Sequence, residues 1–212
     1  MSTQVDFYFD YGSPTSYLAY VQLPGLVART GAIINHRPVL LGGIFQATGN
    51  RSPMDVPAKR KWMVADMAFF AARYKVPFAI NPYFPINTLN LMRGAIFAQN
   101  EGFLREYSDA VFSGIWVERR NLGDVAEVRE VLATAGLAVD AMLAATQQPL
   151  IKEALKTATD AAVGRGVFGV PAMFVGDVMF FGQDRLRYIE EAIQGSERKS
   201  TDETPPGSGS PT

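Results

Sequence analysis

The chain has 212 residues and no cysteine, which excludes a disulfide, a thiolate metal site, an iron–sulfur cluster and a cysteine nucleophile. Its one histidine, His36, argues against a protein-built zinc site, because such sites usually combine cysteine with histidine. A net charge of −1, from 20 Lys+Arg against 21 Asp+Glu with no basic block, gives no electrostatic footprint for nucleic acid.

The first segment alternates, with Val5, Phe7 and Phe9 on one side of a predicted strand. Tyr11-Gly12-Ser13-Pro14 then reads as a helix start, with Ser13 as N-cap and Pro14 at the first helical position, where its missing N–H costs nothing. The helix is expected to run to about Arg29 with a bend near Pro24-Gly25, and Thr30-Gly31 should end it. Residues 32–38 read as a second strand, which completes a βαβ unit with parallel strands.

From roughly Gly42 to Gln148 the hydrophobic period is helical throughout. Met63, Met67, Phe70 and Tyr74 form one stripe, Leu104, Tyr107 and Val111 a second, Val125, Val128 and Leu132 a third. Such stripes read as core. A further helix carries Ile151, Leu155, Ala158 and Ala162, with Gly164 and Gly166 as its stop. Residues 172–175 and 178–181 form two short apolar runs joined by Gly176-Asp177, a hairpin signal, and a final helix should start near Asp184.

This order predicts the α/β class: a thioredoxin-like fold, built from residues 1–41 and 149–195, carrying a large inserted all-helical domain over residues 42–148. Residues 196–212 contain no apolar side chain and are expected to be a disordered tail. The first residues show no basic segment followed by an apolar one, and no window reaches the roughly 18 apolar residues of a membrane span. A soluble cytoplasmic protein with neither membrane nor nucleic-acid partner is the expectation.

Four segments carry a resemblance: VDFYFDYGSPTSYLA (5–19), TGNRSP (48–53), VPAKRKWMVADM (56–67) and VFGVPAMFVGDVMFFGQDRL (167–186). In this order and at these separations they resemble the 2-hydroxychromene-2-carboxylate isomerase family, which is similar to kappa-class glutathione transferases and related to thioredoxin-fold disulfide oxidoreductases. The resemblance covers nearly the whole chain before the tail and implies glutathione as cofactor, a small aromatic substrate and a homodimer.

It also implies roles for particular residues. Ser13 stands where a disulfide oxidoreductase places its reactive cysteine. A hydroxyl donor at a helix N-terminus favours a thiolate, so Ser13 would activate the glutathione sulfur, although local sequence alone reads it as an N-cap. Val170-Pro171 matches the cis-proline beside the active site, whose Val170 backbone would pair with a peptide-like ligand; a trans-proline opening a strand is the plainer alternative. Asp184 would accept from the γ-glutamyl ammonium, with Phe181, Gly182 and Gln183 around the same turn, unless it is a second N-cap or the partner of Arg185. Asn50 and Lys59 match positions that contact glutathione in relatives, Lys59 through the glycine carboxylate; otherwise Gly49-Asn50 is a turn and Lys59 a solvated charge.

On the substrate side the sequence departs from the family pattern. Where the resemblance implies a lysine ahead of Gly49-Asn50 the chain has Phe45, and where it implies a tyrosine it has Phe84, beside Tyr83. Arg51, Arg37 or Asn87 are the alternative donors. His36 is not read as a catalytic base, because no G-x-S-x-G signature surrounds Ser13. Three functions stand at this point: a glutathione-dependent isomerase that opens, rotates and re-forms a conjugated system by reversible thiolate addition, a kappa-like transferase, and a non-catalytic thioredoxin-fold binding protein.

Overall fold

Strand β1 (Gln4–Phe9) organises the molecule. Val5, Phe7 and Phe9 are wholly buried on one face, while Tyr8 packs on the other against Val39, Val170 and Phe174. Each fully buried side chain of this size contributes about 1.5–3 kcal/mol, so a slip of one residue would expose both sets. β1 pairs in parallel with β2 (Ile33–Pro38), with Phe7 opposite His36, and antiparallel with β3 (Ala172–Val175). β3 pairs antiparallel with β4 (Val178–Phe181), which gives the strand order β2-β1-β3-β4. That is the thioredoxin-like arrangement expected from the order of elements. The structure, a computed structural model, describes residues 2–202.

Between β1 and β2 the expected bent helix is two helices, α1 (Pro14–Tyr20) and α2 (Leu23–Thr30). The break falls at Val21-Gln22 rather than at Pro24-Gly25, because a proline is tolerated in the first turn of a helix and Pro24 therefore belongs to the start of α2. Gly31 closes α2 in the left-handed region.

Residues 41–164 contain only helices and connections: α3 (Leu41–Thr48), a 3-10 turn (Pro53–Asp55), α4 (Pro57–Tyr74), α5 (Leu89–Asn100), α6 (Leu104–Trp116), α7 (Val125–Thr134), α8 (Val139–Ala145) and α9 (Pro149–Gly164). Their apolar stripes meet the Val5/Phe7/Phe9 face of the sheet in one continuous core that includes Met92, Tyr107, Phe112 and Trp116. A 3-10 turn (Gln183–Arg185) then leads into α10 (Leu186–Asp202), whose Ile189 and Ile193 reach the same core. α10 continues past Gly195, beyond the point where the sequence predicts the tail to begin; residues 203–212 of that tail lie outside the described residues. Among the described residues no helix is long and apolar enough to cross a membrane.

Candidate active site

The turn between β1 and α1 is held from below. Tyr11 is fully buried; its hydroxyl shares a 2.8 Å hydrogen bond with Ser108 Oγ, and its carbonyl accepts from Trp116 Nε1 at 2.8 Å. Asp10, 1% exposed, accepts three hydrogen bonds: from the Gly12 N–H at 2.8 Å, the Thr88 hydroxyl at 2.7 Å and the Leu41 N–H at 2.8 Å. One carboxylate thus ties the turn to the start of α3 and the start of α5. Burial pushes the Asp10 carboxyl above the usual aspartate value, and the three donors oppose that shift. Gly12 allows a close approach here: a Cβ would lie 3.1 Å from Thr88 Cγ2 and 3.3 Å from Asp10 Oδ1, so either side chain would have to give by a few tenths of an ångström.

Ser13 follows in extended conformation as the N-cap of α1. It is 4% exposed, and its Oγ accepts the Ser16 N–H at 3.1 Å, donates to the Val170 carbonyl at 3.2 Å and lies 3.0 Å from Thr15 Oγ1. The N-cap and the candidate activator are one hydroxyl. The Val170-Pro171 peptide is cis, as the family resemblance implies, and a second cis peptide, Phe84-Pro85, is one the sequence did not announce. Val170 is 7% exposed, yet its N–H has no hydrogen-bond partner among the described residues. A buried donor left unpaired next to a cavity is a ready partner for a ligand acceptor.

These groups open on a cavity of about 370 Å³. Its wall brings together Ser13, Asn50, Val170, Pro171, Phe181, Gly182, Gln183, Asp184 and Phe84 from the sequence reading. Asn50 follows Gly49, the left-handed cap of α3, and its Nδ2 donates to the Phe168 carbonyl at 2.8 Å, which fixes the loop ahead of the cis-proline. Gly182 has φ of 108°, and a Cβ on it would lie 2.7 Å from Asp184 Oδ1, so only glycine lets the chain turn beneath that carboxylate. Asp184 lies 3.8 Å from Arg185 Nε, a loose pair whose members are both part exposed.

Other expected residues lie elsewhere. Lys59 and Arg51 are exposed and do not line the cavity; Lys59 sits in the first turn of α4. Tyr83 is 56% exposed and also absent from the wall. Asn87 lines a different cavity, between α5, α7 and α8, and its Oδ1 accepts the Leu89 N–H. Arg37 is paired with Asp6 at 3.1 Å on the sheet. Phe45 and Phe84 both face the cavity, with Leu41, Met54 and Met63 beside them and exposed Trp62 at its edge. His36 is stacked edge-on against Phe7, Phe9 and Tyr20, outside the cavity, and burial lowers its pKa.

Sequence reasoning passed over Asp10, Thr15, Asp66 and the wall role of Met63. Asp66 lies one turn beyond Met63 on α4 and faces the cavity with Asp184; burial, then the Asp184 charge, raise its pKa. Helical spacing from Lys59 through Met63 to Asp66 was the available signal. Tyr74, in the same stripe, is not only core, since its hydroxyl donates to the Gln183 carbonyl at 3.1 Å.

A DSBA-like thioredoxin domain matches residues 4–194. A 2-hydroxychromene-2-carboxylate isomerase of Sphingobium xenophagum is 36% identical over 195 residues, covering 91% of this chain and 99% of that one. The chain belongs to the 2-hydroxychromene-2-carboxylate isomerase family. A solved structure of a 2-hydroxychromene-2-carboxylate isomerase superposes with a TM-score of 0.84 at 29% identity, covering 95% of this chain and all of that one. A kappa 2 glutathione S-transferase of Caenorhabditis elegans is 26% identical, covering 89% of this chain and 91% of the other, so kappa transferases stand at one further remove from the isomerase family.

Proposed function

We propose that this chain is a glutathione-dependent isomerase that interconverts 2-hydroxychromene-2-carboxylate and trans-o-hydroxybenzylidenepyruvate, as its named relatives suggest. The observation that carries the reading is a buried serine hydroxyl at the N-terminus of α1, facing the cis Val170-Pro171 peptide, in a chain with no cysteine. The unpaired Val170 N–H fits a peptide-like ligand such as glutathione.

Glutathione held there would supply a thiolate for reversible addition to the conjugated double bond, which would allow rotation about a single bond with the thiol given back. The residues of the chain hold and polarise. Ser13 donates its hydroxyl proton toward the sulfur position, and the α1 N-terminus adds its positive end; both favour the thiolate. The Val170 N–H and carbonyl pair with the ligand backbone. Asp184 receives the γ-glutamyl ammonium, while the N–H groups of Gln183 and Asp184, which open the 3-10 turn, are the donors left for its carboxylate; the Arg185 N–H is taken by the Gly182 carbonyl. Lys59 lies outside the cavity wall, in an exposed first turn of α4 that carries no acid, so it would meet the glycine carboxylate only where the ligand extends beyond the cavity. On the substrate side Leu41, Phe45, Met63 and Phe84 exclude water from a flat aromatic ring.

A kappa-like transferase is the second reading. One observation favours it: among the described residues Arg185 is the only Lys or Arg that lines the cavity, so a substrate carboxylate meets little positive charge and a neutral electrophile is better matched. Calorimetry tests what both readings share. Glutathione should bind to wild type and bind more weakly to Asp184→Asn; no heat of binding at millimolar glutathione would exclude both.

A further inference from the structure

Ser13 Oγ has one proton and two lone pairs to place. One lone pair takes the Ser16 N–H at 3.1 Å. The proton points to the Val170 carbonyl at 3.2 Å. Thr15 Oγ1, 3.0 Å away, must then be the donor in the Ser13–Thr15 contact, because Ser13 has no second proton to give. Thr15 is half-buried on the same cavity wall, and its hydroxyl makes no other hydrogen bond among the described residues. Of the two hydroxyls that follow Pro14, only this one reaches Ser13; the buried Ser16 Oγ is unpartnered.

We propose that Thr15 is a positioning residue for sulfur activation: by filling the second lone pair of Ser13 Oγ, its hydroxyl leaves Ser13 able to meet a bound sulfur only as a donor. A neutral thiol sulfur accepts the Ser13 proton only weakly and finds no free lone pair on Ser13 for its S–H, whereas a thiolate accepts that proton strongly. The chain of hydroxyls Thr15 to Ser13 to sulfur is therefore selective for the charged form, and donation into Ser13 strengthens the bond that Ser13 makes. No covalent bond changes in this step. With sulfur in the cavity, the Ser13 O–H would turn from the Val170 carbonyl toward the sulfur, keeping its proton, and the freed carbonyl would be left for the ligand backbone.

The other groups acting on that sulfur are the N-terminus of α1, Asp66 from α4, Asp184 and Arg185 from the turn before α10, and Asp10 beneath the turn. None is altered by Thr15→Val, which keeps shape and branching and removes only the hydroxyl. The inference rests on glutathione binding at Ser13, so the experiment includes a control for it. The ultraviolet absorbance of the bound thiolate is titrated against pH in the full-length wild type, Thr15→Val, Thr15→Ser and Ser13→Ala. Loss of one neutral hydrogen bond should raise the midpoint in Thr15→Val by about half to one pH unit. Thr15→Ser should restore it, and glutathione affinity above the midpoint should change little in either variant. A merely structural Thr15 would alter the melting temperature and leave the midpoint in place. A shift in Ser13→Ala with none in Thr15→Val overturns the role of Thr15 alone. Absence of glutathione binding to wild type, or an unshifted Ser13→Ala, overturns the reading of Ser13 and this inference with it.

Discussion

At the scale of single residues, two roles meet in Ser13 and can be separated by what each variant loses. As an N-cap its side chain stabilises α1, so Ser13→Ala should cost about 1 kcal/mol in urea unfolding. As the activating donor it should matter far more to turnover, with a loss of at least about tenfold below the thiol midpoint. A turnover loss no larger than that of an unrelated cap variant of equal stability would leave Ser13 as a cap only. Asp10 makes a different prediction, because burial raises its pKa. The folded chain holds that proton more tightly than the unfolded chain, so the linked stability is complete below about pH 3.8 and is lost as pH rises through the raised value. Asp10→Asn should flatten this part of the stability–pH curve. It should also loosen the turn, since an amide NH₂ cannot accept from the Leu41 N–H. Unfolding curves collected between pH 3 and 7 that fall in parallel for both proteins would contradict the assignment.

At the scale of elements, the site is an assembly of ends: the start of α1, the end of α3, the loop before β3 and the turn after β4. Gly182 shows how tightly these ends are set. Gly182→Ala must place a side chain at φ of 108° and 2.7 Å from Asp184 Oδ1. The expected outcome is a cost of about 1–3 kcal/mol and a raised KM for glutathione with kcat less affected, measured by initial rates over a glutathione series. An unchanged KM would separate Asp184 from ligand binding. The glycine-proline punctuation of these ends was legible: Ser13-Pro14 as a helix start and Gly176-Asp177 as a hairpin follow from local chemistry, whereas the cis Val170-Pro171 bond was implied by the family resemblance against a local preference for trans. What local chemistry did not carry was distance across the chain. Nothing in the sequence pairs Asp10 with Thr88, separated by 78 positions, or Tyr11 with Trp116, separated by 105. The period of α4 marks Met63 as apolar without saying that it faces a cavity rather than the core. The break at Val21-Gln22 was misplaced because proline punctuates a helix before it rather than at it.

At the scale of the whole molecule, a DSBA-like thioredoxin domain has no cysteine, and a buried serine caps its first helix beside the cis Val170-Pro171 peptide. The helical segment between β2 and β3 supplies the pins under the active turn, through Thr88, Ser108 and Trp116, and one wall of the cavity, through Phe45, Met63 and Phe84. In the proposed isomerase the sulfur is borrowed from glutathione, and a borrowed sulfur that adds and leaves should be recovered intact. The most direct measurement follows 2-hydroxychromene-2-carboxylate by ultraviolet absorbance with enzyme and substoichiometric glutathione, together with an assay of free thiol. The expected result is equilibration with trans-o-hydroxybenzylidenepyruvate at a rate that depends on glutathione, many turnovers per glutathione and no net loss of thiol. Equilibration at the same rate without glutathione, or consumption of one thiol per substrate converted, would contradict the proposed isomerase.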